Sequence, residues 1–369
     1  MHELPVGELN MIEIKPPVRV PAESVVTVVP RPGEPVAAVF RRLAGELAAT
    51  AAVPTAMMLY GAITAHAEIT RAMREVLGET NWPVTWVEGA SGDGAVLAGV
   101  QVFAVSGRKV TRVQLGGRVV ASVFEDAGAS HCLVGGVVPV AVTLPPAAQT
   151  QQAFSHLEAA LDMAGFTLAD VVRTWFFNDD ILAWYADFNR VRSAHYAGVK
   201  WRTGSLPAST GIGARNPTGG ALVVGARALR PANGTARAVE VGSPLQCPAP
   251  AYGSAFARAM ELNLDGARQL LVSGTASIHP DGRTAWPGDP TRQVARTMEV
   301  IGAILESRQM DFGDVTRATA YYRDAADRRH FEAWLGAQGW QAMPVVHTQS
   351  VVCRDDLLFE VELDATVTG

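Results

Sequence analysis

At 369 residues, 48% hydrophobic and 18% charged, the chain is long enough for two or three domain-sized cores and is composed like a folded globular protein, not a disordered one. Its formal net charge of −5 leaves no electrostatic footprint for nucleic acid or an anionic membrane. An anionic substrate therefore has to be met by a local group of arginines.

Taken in order, the chain opens with a Pro-rich, weakly patterned arm over residues 1–34, whose start, Met1-His2-Glu3-Leu4-Pro5, lacks the basic and apolar regions of a signal peptide. No apolar run is long enough to span a bilayer, and a cytoplasmic location is expected. Val39, Leu43 and Leu47 then repeat at helical spacing, followed by a strand at 56–62, a second helix marked by Ile69, Met73 and Val76, and strands at 83–87 and 96–103. The middle of the chain predicts strands at 110–114, 119–124 and 132–140, then a helix through Phe154, Leu157 and Leu161 that ends near Gly165. A strand at 171–177 leads to a helix over about 180–196. On that helix Ile181, Trp184, Phe188 and Val191 form an apolar stripe, while Tyr185, Asn189, Arg192 and Tyr196 recur on a separate face. Strands at 209–214 and 221–229 close this stretch. The last part predicts strands at 238–241 and 270–278, a helix carrying Val294, Met298, Ile301 and Leu305, and a strand at 315–322. A helix with Phe331 and Trp334 follows, then strands at 345–353 and 357–365.

The three cysteines, Cys132, Cys247 and Cys353, show no CxxC spacing, and the eight histidines form no HExxH. Neither a disulfide framework nor a metal site is predicted. The glycine-rich pieces near Gly92, Gly135 and Gly219 fall between strand-like runs and read as turns, so no nucleotide loop is predicted.

One order of elements, helix, strand, helix and two strands, recurs along the chain. Thr174-Trp175-Phe176-Phe177-Asn178-Asp179 stands over Thr319-Ala320-Tyr321-Tyr322-Arg323-Asp324, Leu206-Pro207-Ala208-Ser209-Thr210 over Met343-Pro344-Val345-Val346-His347-Thr348, and Gly135 over Gly274. Repeats of this length are whole domains. Each predicts an α+β layer, a sheet with two helices packed on one face. The final strand stands apart: its alternation sends Glu360, Glu362 and Asp364 to one face and Phe359, Val361 and Leu363 to the other. Three acids in water on a half-solvated strand is the plain reading. Against it, the matching strands at 221–226 and 96–103 carry no carboxylate, which leaves one unit of the three equipped for acid chemistry.

Gly274-Thr275-Ala276-Ser277-Ile278, Asp281-Gly282, Gly288-Asp289 and Gln293, then Ala320-Tyr321-Tyr322-Arg323-Asp324, Pro344 and Phe359-Glu360-Val361-Glu362 together resemble the RidA/YjgF pattern. Three linked copies, the first abbreviated, are similar to the chorismatase family, most of all to its 3-hydroxybenzoate-forming type. The resemblance implies tandem RidA/YjgF-like (chorismate-mutase-like) units forming an intramolecular pseudo-trimer: an arm at 1–34, an abbreviated unit at 35–105, a second at 106–235 and a third at 236–369. It also implies a cofactor-independent enzyme whose substrate is chorismate, a monomer without nucleic acid or membrane partners. The expected products are pyruvate and 3-hydroxybenzoate, with a cyclohexadiene diol, or RidA-like enamine/imine hydrolysis, as alternatives. In imine hydrolases an arginine follows the proline matched by Pro344, whereas here Val345, Val346 and His347 follow it.

Chorismate carries two carboxylates and an enol ether, so a site for it needs cationic clamps, hydroxyl donors and an acid that can protonate the ether's methylene carbon. The family motif places that acid on Glu360, with Glu362 a structural or solvated partner. Cys353 resembles a cysteine found in the 3-hydroxybenzoate-forming type and is expected to shape the ring pocket. Candidate clamps and donors are Tyr185, Arg192, Arg202, Arg215, Tyr321 and Arg323. For each, a solvated arginine or a packed core tyrosine is the alternative.

Overall fold

The computed structural model describes residues 22–92, 94–232 and 234–369. Most of the expected arm lies outside these residues, but its end forms a strand. The β-branched run at Glu23–Val28 (β1) sits between prolines and pairs antiparallel with Leu97–Ser106 (β4) in the first sheet. That sheet has the order β1-β4-β2-β3, with β2 at Ala52–Gly61 and β3 at Val84–Glu88. Helices Val36–Ala49 (α1) and His66–Leu77 (α2) cover one face through Phe40, Leu43, Ile69 and Met73.

The second and third sheets have six strands each, in matching orders. The second is β5-β6-β7-β10-β8-β9, built from Val110–Leu115, Arg118–Asp126, Ala129–Val137, Leu222–Pro231, Val171–Asn178 and Ala208–Gly213. Its helices are Pro146–Met163 (α3) and Ile181–Tyr196 (α4). The third is β11-β12-β13-β16-β14-β15, from Arg237–Val241, Ala259–Leu264, Ala267–Ala276, Phe359–Thr368, Val315–Tyr322 and Val345–Gln349. It carries Pro290–Glu306 (α5) and Arg328–Gln338 (α6). The sequence reading missed β12 although Ala259–Leu264 alternates, because a six-residue run with a central glutamate gives little signal between longer strands.

In every sheet one pair is parallel (β2 with β3, β8 with β9, β14 with β15) and follows a helical crossover. The helix-covered faces hold three separate cores. The opposite faces meet in a fourth, where Met58, Tyr60 and Phe103 of the first unit touch Trp175, Phe177 and Val223 of the second and Tyr321 and Val346 of the third. Edge strands close the ring: β9 packs on β13, β15 on β4 and β3 on β7. Backbone bonds seal each junction, with Gly213 and Val351 exchanging N–H···O contacts of 2.7 and 3.0 Å, Glu88 N donating to Arg215 O at 2.8 Å, and Gln349 N to Ala90 O at 2.9 Å. Gly213 is required there, since a Cβ would fall 2.8 Å from the Val351 backbone oxygen.

Strand pairing corrects the repeat register by one residue. Tyr321 pairs with Glu360 and Phe177 with Val223, so Val171–Asn178 superposes on Val315–Tyr322 and Arg173 matches Arg317. Aligning on the shared Thr and Asp had set Phe176 against Tyr321, whereas Phe176 faces the helices and Tyr321 the centre.

Candidate active site

The final strand β16 obeys its alternation. Phe359, Val361, Leu363 and Ala365 enter the helix-side core, and Glu360, Glu362 and Asp364 turn inward toward the ring's centre. None of the three acids is solvated. Glu362, with no exposed surface, accepts hydrogen bonds from Arg173 (2.6 Å), Arg317 (2.8 Å), Trp175 Nε1 (2.9 Å) and Thr210 Oγ1 (2.5 Å). Asp364 takes the Arg317 Nε at 2.8 Å. Burial alone would raise the Glu362 carboxyl, but Arg317 and Arg173 outweigh it and hold it at about 2. Both guanidiniums also lie over aromatic faces, Arg173 5.1 Å from the Trp175 centroid and Arg317 5.6 Å from that of Phe103.

Glu360 has different surroundings. It is 5% exposed and lines a cavity of about 300 Å³ between the second and third units. Burial and the neighbouring Glu362 charge push its carboxyl up to about 8, against the opposing pull of Arg173 and Arg258. Gly274 makes room for it, because a Cβ there would stand 2.1 Å from Glu360 Oε1.

The second unit contributes the wall formed by α4 and β9. Ile181, Trp184, Phe188 and Val191 bury the core side of α4, which leaves Tyr185, Asn189 and Arg192 at spacings of four and three on the cavity side. Tyr196, expected on that face, packs into the core against Phe154 and Trp201. Arg192 is 1% exposed; its Nη2 meets Asn189 Oδ1 at 2.6 Å and its guanidinium lies 5.0 Å from the Phe188 centroid.

The third unit supplies Tyr252, Ser254, Phe256 and Arg258 from the segment before β12, and Cys353, Arg354 and Leu357 from the turn before β16. Arg258 is 3% exposed and oriented by two bonds to the Cys247 carbonyl, at 3.0 and 2.8 Å. Tyr252 lies between the guanidiniums of Arg258 and Arg354, 5.3 and 5.2 Å from its centroid. The turn is fixed from α5: Gln293 donates to the Asp356 carbonyl and accepts from Leu358 N, both at 2.8 Å. Burial and the Glu360 charge push the Cys353 thiol up to about 12, so it stands as a neutral group in the wall.

Of the side chains singled out from sequence, Glu360, Cys353, Tyr185 and Arg192 thus share one cavity. The other four lie elsewhere. Arg202 is half exposed and pairs with Asp170 at 2.6 Å, and Arg215, also exposed, bridges to Glu88 at 2.5 Å. Arg323 clips the 353–358 turn from outside through Asp355. Tyr321 is buried beside Glu360 on β14 but belongs to the central core. Arg258 went unnoticed in the sequence because the strand that anchors it did. Among the described residues no group of three or more His, Cys, Asp or Glu could hold a metal ion, and no helix is long and apolar enough to cross a membrane. The arrangement can place two cations around an anionic ring-sized molecule and present a protonated carboxyl to it.

The fold matches a crystal structure of chorismatase with a TM-score of 0.66 at 19% identity, over 94% of this chain and 99% of that one. A protein YJGH structure (18% identity, 35% of this chain, 96% of that chain, TM-score 0.30) and the YjgF gene product of E. coli (20%, 34%, 96% and 0.28) are similar to single portions of it. No curated protein matches the chain. The architecture is therefore a mixed α+β set of tandem RidA-like units arranged as a pseudo-trimer, the fold of that chorismatase. The endoribonuclease L-PSP family model matches residues 132–223 and 249–367, more than half of the chain, and the chain belongs to that family.

Proposed function

We propose that this protein is a chorismatase that cleaves the enolpyruvyl ether of chorismate to pyruvate and 3-hydroxybenzoate. The observation that carries the reading is one cavity in which a buried carboxyl, Glu360, held near pKa 8, faces two buried arginines, Arg192 and Arg258, from different units. A dicarboxylate with a neutral ring fits such a wall: the guanidiniums take the carboxylates, and Tyr185 and Ser254 are hydroxyl donors for the ring oxygens.

Glu360 enters the reaction protonated. It gives its proton to the terminal methylene carbon, and the C=C electron pair forms the new C–H bond, leaving a cation at the ether carbon stabilised by the ether oxygen. The C–O bond to the ring then breaks as the neighbouring ring hydroxyl displaces the pyruvyl group. The hydroxyl proton lost as the epoxide-like species forms restores the acid, the epoxide isomerises to the phenol as one ring hydrogen is exchanged for the phenolic O–H, and no water is consumed. In the alternative outcome water adds to the cation, and pyruvate leaves with both ring oxygens retained as a diol.

Mixing the purified protein with chorismate and following pyruvate tests the reading. Pyruvate formed together with 3-hydroxybenzoate supports it, and no pyruvate above the buffer control overturns it. The linked units already supply the ring that single-domain relatives assemble from three chains, so a monomer of 39.1 kDa is part of the proposal. Light scattering measures that mass.

A further inference from the structure

We propose that Glu362 is a positioning residue for the acid: a carboxylate clamped by one arginine from each of two units, whose fixed place two residues along the same strand face governs the proton on Glu360. The inference rests on the reading of Glu360 as the proton donor. Glu362 lies two residues along the same strand face from Glu360, a separation of roughly 7 Å along a strand. It does not line the cavity itself. Thr210 links Glu362 to Gly274: its hydroxyl donates to Glu362, accepts from Arg173 Nη2 at 2.7 Å, and accepts the Gly274 N–H at 3.0 Å. Gly274 is the residue whose bare Cα leaves space for the Glu360 carboxyl. Displacing Glu362 therefore moves the floor on which Glu360 rests.

Pseudo-symmetry shows why a single chain is needed. By strand pairing, Ala56, Arg173 and Arg317 are equivalent positions in the three units, as are Gln101, Gly225 and Glu362. One carboxylate thus meets two guanidiniums around a threefold arrangement, while Gln101 takes the carboxylate's place in the first unit and accepts from Arg317 at 3.2 Å. A ring of three identical chains repeats every side chain three times, so it cannot hold a single anion against two cations with neutral residues at the remaining equivalent positions.

Other charged and titratable groups also face Glu360. Arg173 on β8 and Arg258 before β12 favour loss of its proton. Arg192 and Tyr185 on α4, with Cys353 and Arg354 ahead of β16, line the same cavity, and Tyr321 on β14 pairs beside it. Among the groups acting on its charge, Glu362 opposes ionisation and the two arginines promote it.

The test is a titration of the Glu360 side-chain carboxyl by carbon NMR in the full-length protein, without substrate, beside the pH dependence of pyruvate release. Glu362→Gln is expected to lower the Glu360 midpoint by about one pH unit or more, and the alkaline loss of activity moves down with it. Glu362→Asp, which keeps the charge, restores the wild-type midpoint. Arg173→Met removes a cation and shifts the midpoint upward, and the double variant Glu362→Gln/Arg173→Met supplies a neutral pair where the single Gln variant fails to fold. Unchanged midpoints, or a loss of rate equal at every pH, overturn the proposal by reducing Glu362 to a packing element. Normal midpoint shifts in a protein that releases no pyruvate leave this inference standing and overturn the chorismatase reading instead.

Discussion

Arg173 and Arg317 occupy the same position in successive units and close on a single carboxylate, Glu362, one on each oxygen. All three side chains are fully buried. The pairing welds the second unit to the third at the level of the cavity, and losing one partner leaves a buried charge uncompensated, a cost of about 3–5 kcal/mol. Because that anion is fixed, the acid two residues away is the carboxyl of the pair that stays protonated.

Glu360→Gln is expected to lower pyruvate release by about 10²–10⁴-fold, the usual weight of a positioned general acid. The amide keeps the shape but has no proton to give to carbon. Substrate binding, followed by calorimetry, stays within a few-fold. A loss of binding in place of a loss of turnover would assign Glu360 to recognition.

The same substitution has an opposite effect on stability. Wild-type Glu360 holds its proton up to about 8, whereas the unfolded chain releases it near 4.5. Between those values folding requires proton uptake, so this group's contribution to stability falls as pH rises from 4.5 through 8. Glu362 behaves inversely: held at about 2, it contributes stability above 4.5 that is lost as pH falls toward 2. Denaturation midpoints should therefore show Glu360→Gln more stable than wild type at pH 8, with the gap closing toward pH 4.5. A constant gap would show that Glu360 titrates normally in the folded protein.

Gly274→Ala places a methyl 2.1 Å from the present position of Glu360 Oε1. Overpacking of this kind costs about 1–3 kcal/mol, and here the mobile partner is the acid itself. Turnover should fall at least tenfold with a smaller change in thermal midpoint. Gly219→Ala, at a turn with positive φ and nothing within 4 Å of the added carbon, serves as the control: it should lose stability and keep its activity.

The arginines separate by location. Arg192→Ala and Arg258→Ala remove buried cations from the cavity wall and should raise KM for chorismate by ten-fold or more, at about 1.5–3 kcal/mol for each charged contact. Arg202→Ala and Arg215→Ala remove half-exposed guanidiniums that lie away from the cavity, and the buried Asp170 keeps its second partner, Arg230. They should keep kcat/KM within a few-fold. Steady-state kinetics on all four decide the point.

Periodicity made much of this molecule legible. Helical stripes at Val39, Leu43 and Leu47 or Val294, Met298 and Ile301 and the alternation of β16 each record which side of an element is buried, and the fold buries those sides. The α4 face held Tyr185 and Arg192 for the same reason. What periodicity does not encode is which charged residue a distant strand will meet. Arg173 and Arg317 sit within apolar strands, where a guanidinium is itself a sign of a buried partner, but the run does not say which one. Arg258 lies in the segment before β12, outside any alternating run that would mark its direction. Arg202, Arg215 and Arg323 had favourable types in loops, where sequence carries no information on direction.

The last prediction turns on Cys353. Its thiol lines the cavity with Glu360 and Tyr185 and is neutral, so its effect on the reaction works through volume and weak hydrogen bonding. After protonation, either water adds to the cation at the ether carbon, giving the diol, or the neighbouring ring hydroxyl attacks the ring carbon and displaces the pyruvyl group as pyruvate, giving 3-hydroxybenzoate. A water must sit near roughly 3 Å from that carbon, in attacking geometry, for hydrolysis to compete. On the proposed reading, a thiol in the wall beside the ring would exclude such a water and hold the ring's tilt, and alanine would leave space there. Wild type should therefore yield mainly 3-hydroxybenzoate, and Cys353→Ala a partial shift toward the diol with pyruvate release little changed. Chromatography of both product mixtures measures the ratio. An unchanged ratio in the variant, accompanied only by a lower thermal midpoint, would make Cys353 a packing residue; diol as the main wild-type product would place the attacking water in the native cavity.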